Sequence, residues 1–208
     1  MKTSNKFTLL RVILAPVIFF VYSFPVIFKF PKDSIVSIVS IVASILLLIF
    51  AELTDYFDGY YARKHEEVSD FGKLFDPFAD VLLHLSMFTI FVFNGYMPVL
   101  LYVLIFYREF AQNFLRMVAA KSGTAIAARK GGKVKTVFYV AGCFVALIQE
   151  FLVRTSLAAK FNLPVDIFKY IGWAIFGVCA LLAWISFIDY LKNFGSILKQ
   201  VANDKGQN

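Results

Sequence analysis

Residues 55–80 read DYFDGYYARKHEEVSDFGKLFDPFAD, with Asp55, Asp58, Gly59, Ala62, Arg63, Gly72, Asp76 and Asp80 as the fixed points of the stretch. Long apolar runs flank it, so these acids fall at the ends of membrane-spanning segments, where a charge is costly and points to function. Asp55 and Asp58 are three residues apart, about 60° around a helix, and Asp76 and Asp80 are four apart, about 40°. Each pair therefore projects from one helical face. The intervening Gly59 to Lys73 is expected to turn the chain back, so that the two pairs face each other. Four converging carboxylates repel one another unless cations sit between them. Hard divalent ions such as Mg²⁺ or Mn²⁺ prefer oxygen ligands, and two of them could share the set. Such a site suits displacement at phosphorus, because it steadies both the attacking and the leaving oxygen. The plainer reading is a group of membrane-edge acids solvated by water or lipid headgroups.

Outward from this stretch, composition sets the class. With 208 residues, 60% hydrophobic and 17% charged, the chain is too apolar for an ordinary soluble domain. One all-α membrane domain over residues 1–208 is expected. Six segments approach the roughly 20 apolar residues that cross a bilayer: Leu9–Phe30, Ile35–Phe57, Leu74–Asn94, Met97–Ala119, Val134–Arg154 and Ile167–Leu191. Asn94-Gly95-Tyr96-Met97-Pro98 is a tight-turn signal between the third and fourth. The first segment follows a short basic stretch, as in a signal peptide. It is long, however, contains Pro16 and Pro25, and lacks a small-x-small cleavage site, so it is expected to be retained. The 25 Phe are expected to face lipid and neighbouring helices, and Cys143 and Cys179, which show no metal spacing, to be buried thiols.

The net charge of +7 collects between the apolar segments. Lys2, Lys6, Arg11, Arg63, Lys64, Lys73, Lys121, Arg129, Lys130, Lys133, Lys135, Lys192, Lys199 and Lys205 fall on one side, against Lys29, Lys32, Arg154, Lys160 and Lys169 on the other. The positive-inside rule then places both termini, and the acid cluster, in the cytoplasm. Nucleic-acid binding is the weaker reading of this charge, because the basic residues are divided among membrane loops.

The acidic pattern, D-x2-D-G-x2-A-R-x8-G-x3-D-x3-D, resembles the signature of the CDP-alcohol phosphotransferases, and every fixed position is present. Two further elements resemble those of bacterial phosphatidylglycerophosphate synthases. One is Gly132-Lys133-Val134-Lys135-Thr136, similar to their G-K-x-K-T element, preceded by Arg108-Glu109 and Leu115-Arg116 in the manner of their R-E…L-R pattern. The other is Asn5-x2-Thr8-x2-Arg11, similar to their N-x-L-T-x-x-R opening with Phe7 in place of Leu. By its residues alone that opening is an interfacial helix entry, with Thr8 near a cap and Arg11 snorkelling to headgroups.

The resemblance implies a six-helix bundle, usually a homodimer, in a bacterial inner membrane, with a polar cavity facing the cytoplasm. It implies transfer of the phosphatidyl group from CDP-diacylglycerol to glycerol 3-phosphate. Asp55, Asp58 and Asp76 would be the core ligands of two Mg²⁺ or Mn²⁺ ions, with Asp80 completing the site and acting as general base. Asp55, Asp58, Gly59, Ala62, Arg63 and Gly72 would hold the CDP moiety, and Arg116, Arg129, Lys133 and Lys135 the acceptor phosphate. Two departures bear on the acceptor: Val81 stands where many of these enzymes have Lys, and Ala128-Arg129-Lys130-Gly131 is more basic than usual. Inositol 1-phosphate is the nearest alternative acceptor, and a divalent-cation transporter is the alternative from another class.

The remaining polar residues have bland readings beside these. Glu52 either supports the metal site or pairs with a cation across the bundle. His65, Glu66, Glu67 and Asp70 form a solvated loop, and His84 is a packed, hydrogen-bonded helix residue. Adjacent Arg108 and Glu109 diverge by about 100° and need not pair with each other, so each needs a polar partner inside the bundle.

Overall fold

The computed structural model describes residues 3–64, 70–121, 123 and 130–203, with side chains except at 3–4, 58, 60–64, 70, 130–133 and 197–203. Its regular structure is helical throughout: α1 (Thr3–Ile27), α2 (Ile35–Lys64), α3 (Asp70–Phe93), α4 (Val99–Lys121), α5 (Lys130–Arg154), α6 (Leu157–Lys160) and α7 (Val165–Asn203). Among the described residues, five segments are long and apolar enough to cross a membrane: Asn5–Ile27, Ile35–Phe57, Phe71–Phe93, Val134–Arg154 and Val165–Ser196. The fourth expected crossing, α4, has the length but buries Arg108, Glu109, Gln112 and Arg116 along one face, which lowers its apolarity.

The acidic stretch brings α2 and α3 together to line one cavity, as expected. Both glycines are helical: α2 continues through Gly59 to Lys64, and Gly72 lies in the first turn of α3. A single glycine costs a helix only about 1 kcal/mol, and no proline follows it before Lys64.

Local chemistry explains the other ends. Ser34 caps α2, its Oγ accepting from the Ser37 N–H at 3.2 Å. At the end of α3, Gly95 has φ 74° and the Tyr96 N–H donates to Phe91 O at 2.8 Å, a left-handed helix stop where the turn was expected. Pro25 lies inside α1 and has no N–H for Val21 O; Ser40 Oγ of α2 donates to that carbonyl instead, at 2.7 Å.

α1 packs chiefly against α2 and α3, and α7 against α5 and α4; α5 touches α2 and α3, joining the two groups. The seam is aromatic. The Phe88 ring lies 5.1 Å from Tyr139 and 5.3 Å from Phe176, centroid to centroid, while Phe20, Phe28 and Phe93 point outward. Cys143 and Cys179 are free and buried, as expected.

At the end of the bundle holding the α3–α4 turn, a polar lock crosses four elements. Arg154 Nε donates to Glu150 Oε1 at 2.7 Å, Arg154 Nη1 to Ser37 O and Ser40 Oγ at 3.2 Å each, and the guanidinium sits 4.6 Å from the Tyr22 ring centroid. The Tyr96 hydroxyl donates to Glu150 Oε2. Burial, reinforced by Glu150, pushes that hydroxyl well above its ordinary pKa and keeps it a donor. Arg154, expected as a loop charge, is thus a buried structural residue.

Candidate active site

The bundle holds an open cavity of about 570 Å³ with two chemically distinct walls. Helices α2 and α3 contribute Glu52, Asp55, Asp76 and Asp80, while α4, α5 and α7 contribute Arg108, Glu109, Arg116, Lys135, Ser186 and Tyr190. Gly59 lines the cavity as well.

On the acidic wall the two aspartate-bearing helices are tied together from α1. Thr8 Oγ1 donates to Asp76 Oδ1 at 2.5 Å. Arg11 Nη2 lies 2.8 Å from Asp55 Oδ1, and its Nη1 donates to Asp80 Oδ1. Thr8 and Arg11 are both buried. The interfacial reading of this opening is therefore corrected: three-residue spacing puts both side chains on one face of α1, turned toward the acids rather than the headgroups.

Asp55, Asp76 and Asp80 thus converge as the sequence predicts. Asp58, Ala62 and Arg63 lie on α2, but their side chains are outside the described residues. Among the described residues no three ligating side chains close to metal-ligand spacing. The donor chemistry nevertheless fits Mg²⁺ or Mn²⁺, since these are hard carboxylate oxygens from two helices on one cavity wall. Glu52 also faces the cavity, with its Oε1 3.5 Å from His84 Nε2. His84 Nδ1–H donates to Asp80 O at 2.7 Å, and its ring packs on Tyr139 at 5.6 Å, so it is the packed helix residue expected.

The opposite wall is organised by Glu109. Its Oε1 lies 2.6 Å from Lys135 Nζ and accepts from Tyr139 OH at 2.8 Å, while its Oε2 lies 2.9 Å from Arg108 Nη1. Arg108 and Glu109 thus each have the polar partner inside the bundle that was expected, and these adjacent residues also pair with each other, the long arginine side chain spanning the 100° between them. Arg108 Nε also donates to Ala183 O at 2.8 Å. Arg116 Nη2 donates to Tyr190 OH at 3.4 Å. Among the described residues lining this wall, three cations against one carboxylate leave a net charge of two positive opposite the acids. Lys135 and Arg116 line the cavity as predicted; the Lys133 side chain and all of Arg129 are outside the described residues.

Sequence reasoning left Thr8, Arg11, Glu109, Ser186 and Tyr190 out of the site. For Thr8 and Arg11 the signal was present, as two polar residues three apart where α1 passes into its apolar run. Ser186 and Tyr190 lie four apart on α7 within an apolar run and carry no charge to draw attention.

The sequence has counterparts among known proteins. The chain is 39% identical over 203 residues to a CDP-diacylglycerol–glycerol-3-phosphate 3-phosphatidyltransferase of Treponema pallidum (strain Nichols), covering 97% of this chain and 93% of that protein. It is 40% identical over 136 residues to the enzyme of the same name from Bacillus subtilis (strain 168), covering 64% of this chain and 69% of that protein. The similar enzyme of Mycoplasma genitalium is 29% identical over 165 residues, 77% of this chain and 70% of its own. A family model described as CDP-alcohol phosphatidyltransferase matches residues 1–188, a span that takes in every cavity residue named above except Tyr190. With the complete acidic pattern lying inside that match, this chain belongs to the CDP-alcohol phosphatidyltransferase family.

Proposed function

We propose that this integral membrane protein transfers the phosphatidyl group of CDP-diacylglycerol to glycerol 3-phosphate, giving phosphatidylglycerol phosphate and CMP. The observation that carries the reading is one cavity shared by Asp55, Asp76 and Asp80 with Arg116 and Lys135. A donor end and a cationic acceptor end then open onto one shared space. The names of the similar enzymes supply the two substrates.

In the reaction an acceptor hydroxyl oxygen bonds to the phosphatidyl phosphorus. The bond from that phosphorus to the bridging diphosphate oxygen breaks, and CMP leaves with the oxygen. Asp80 takes the hydroxyl proton, which sharpens the nucleophile. Asp55, Asp58, Asp76 and Asp80 would hold two Mg²⁺ or Mn²⁺ ions, which when bound supply the positive charge that offsets the diphosphate and departing CMP.

Gly59 and Gly72 let the nucleotide approach the backbone beside Asp55, Asp58 and Ala62, and Arg63 takes the diphosphate. Arg116 and Lys135, with Arg129 and Lys133, hold the acceptor's phosphate. Glu109 supports them by fixing Lys135 in the cavity wall. The acyl chains remain in an apolar groove between helices, partly in lipid.

The chain acts as a single domain over residues 1–208, as a homodimer in a bacterial inner membrane. In this reading α4 is the sixth crossing, its polar face turned into the bundle, and both termini and the cavity face the cytoplasm. The excess of Lys and Arg on the cavity side supports that orientation. The test is incorporation of radiolabelled glycerol 3-phosphate by purified protein in CDP-diacylglycerol micelles with Mn²⁺. The label should pass into lipid; folded, metal-supplied protein that leaves it all water-soluble would refute the reading.

A further inference from the structure

Arg11 is only 1% exposed and enters the acidic wall from α1, a helix that lends no carboxylate to it. Its two terminal nitrogens reach different helices, Nη2 to Asp55 of α2 at 2.8 Å and Nη1 to Asp80 of α3. A guanidinium is planar and rigid, so a fork bridging two carboxylates fixes their separation in a way a mobile ammonium does not. One turn earlier Thr8, fully buried, holds the third acid, Asp76, at 2.5 Å. Burying a guanidinium costs several kcal/mol unless its partners compensate. Here the partners are the acids assigned to metal and proton handling.

We infer that Arg11, assisted by Thr8, is a positioning residue of the transferase. It is a resident counter-cation that keeps Asp55, Asp76 and Asp80 assembled between turnovers and tempers their affinity for divalent cations. The assignment rests on the roles proposed above for these aspartates. Two effects of opposite sign follow from it. A fixed positive charge touching the same oxygens opposes a divalent ion, so removing it tightens ion binding. Removing it also frees the carboxylates to drift from their working separation, and a misplacement of about 1 Å can cost a hundredfold in rate. A side chain that served only the fold would, on removal, weaken binding and turnover together.

The test uses the full chain purified in detergent, with Mn²⁺ as the probe. Electron paramagnetic resonance of free Mn²⁺ gives the affinity, thermal unfolding checks the fold, and CMP release gives turnover with whichever acceptor the wild type uses. Arg11→Gln should bind Mn²⁺ on the order of tenfold more tightly and lose about a hundredfold in kcat. Arg11→Lys keeps the charge but not the fork; it should retain wild-type Mn²⁺ affinity and still lose turnover. Thr8→Val should lower kcat without tightening Mn²⁺ binding, and Thr8→Ser should restore it. Unaltered or weaker Mn²⁺ binding by folded Arg11→Gln, or unaltered turnover, would overturn the inference. If Arg11→Gln does not fold, Arg11→Lys decides: Mn²⁺ affinity and turnover that fall together, or that both stay unchanged, overturn it. Mn²⁺ binding involves neither lipid nor acceptor. A wild type that binds Mn²⁺ but ignores glycerol 3-phosphate therefore defeats the proposed substrate and leaves Arg11 to be judged separately.

Discussion

Lys135 Nζ lies 2.6 Å from Glu109 Oε1 in the cavity wall opposite the aspartates. A lysine read from sequence as a free phosphate ligand is therefore also half of a buried ion pair, and its removal has two consequences. Lys135→Ala should raise the KM for glycerol 3-phosphate and destabilise the fold by about 3–5 kcal/mol, because Glu109 is left with one cation fewer. Parallel kinetics and thermal unfolding in detergent check both. A large KM effect with unchanged stability would mean that Glu109 does not depend on the pair.

Arg116 should behave differently. Its Nη2 makes a long 3.4 Å hydrogen bond to Tyr190 OH, so less of the fold rests on it. Arg116→Ala should raise the acceptor KM by about ten- to a hundredfold, the worth of a charged hydrogen bond, with little loss of stability. If the CDP-diacylglycerol KM rose instead, Arg116 would belong to the donor end.

Asp80→Asn keeps the size of the side chain and removes its ability to take a proton. Turnover should fall by about 10²–10⁴, while CDP-diacylglycerol binding, measured by tritiated-ligand filtration, should largely survive. Turnover near wild type would remove Asp80 as the base.

The lock at the other end should separate stability from chemistry. Fifteen helical residues of α5 place Glu150 about 22 Å along the axis from Lys135. Glu150→Ala should cost about 3–5 kcal/mol by leaving Arg154 buried without its carboxylate. The KM values for both substrates should be unchanged in protein that remains folded. A selective rise in one of them would tie the lock to the active site.

Packing between α5 and α7 gives a metal-independent check on the fold. A Cβ at Gly142 would stand 2.8 Å from Phe176 Cε1, and Phe176 is itself held against Phe88 and Phe91. Gly142→Ala should therefore destabilise by about 1–3 kcal/mol through overpacking, read as a lowered Tm. An unchanged Tm would mean the α5–α7 seam has room to spare.

Much of this site is legible in the chain because intramembrane charge is rare and helical spacing gives its direction. Asp55, Asp76 and Asp80 could be assigned to facing surfaces from spacing alone, and Gly95 to a helix stop. Partnerships across the bundle were less accessible. Arg11, Lys135 and Arg154 all sit near segment ends, so each reads as a boundary charge until the structure shows which carboxylate it meets. Where α2 ends within Gly59 to Lys73 was less legible, because a glycine near the end of an apolar run marks a turn as readily as a tolerated helix position, and α2 runs on to Lys64. Ser186 and Tyr190 enter the site only because α7 packs against α4, and nothing in their own sequence encodes that contact.

The most direct measurement is CMP release by purified protein in CDP-diacylglycerol micelles with Mg²⁺ or Mn²⁺. Parallel reactions would contain glycerol 3-phosphate, inositol 1-phosphate, serine or no acceptor. Release should depend on glycerol 3-phosphate and stop when the metal is chelated. Release dependent only on inositol 1-phosphate or serine would contradict the proposed acceptor, and no release with any acceptor from folded, metal-supplied protein would contradict the donor as well.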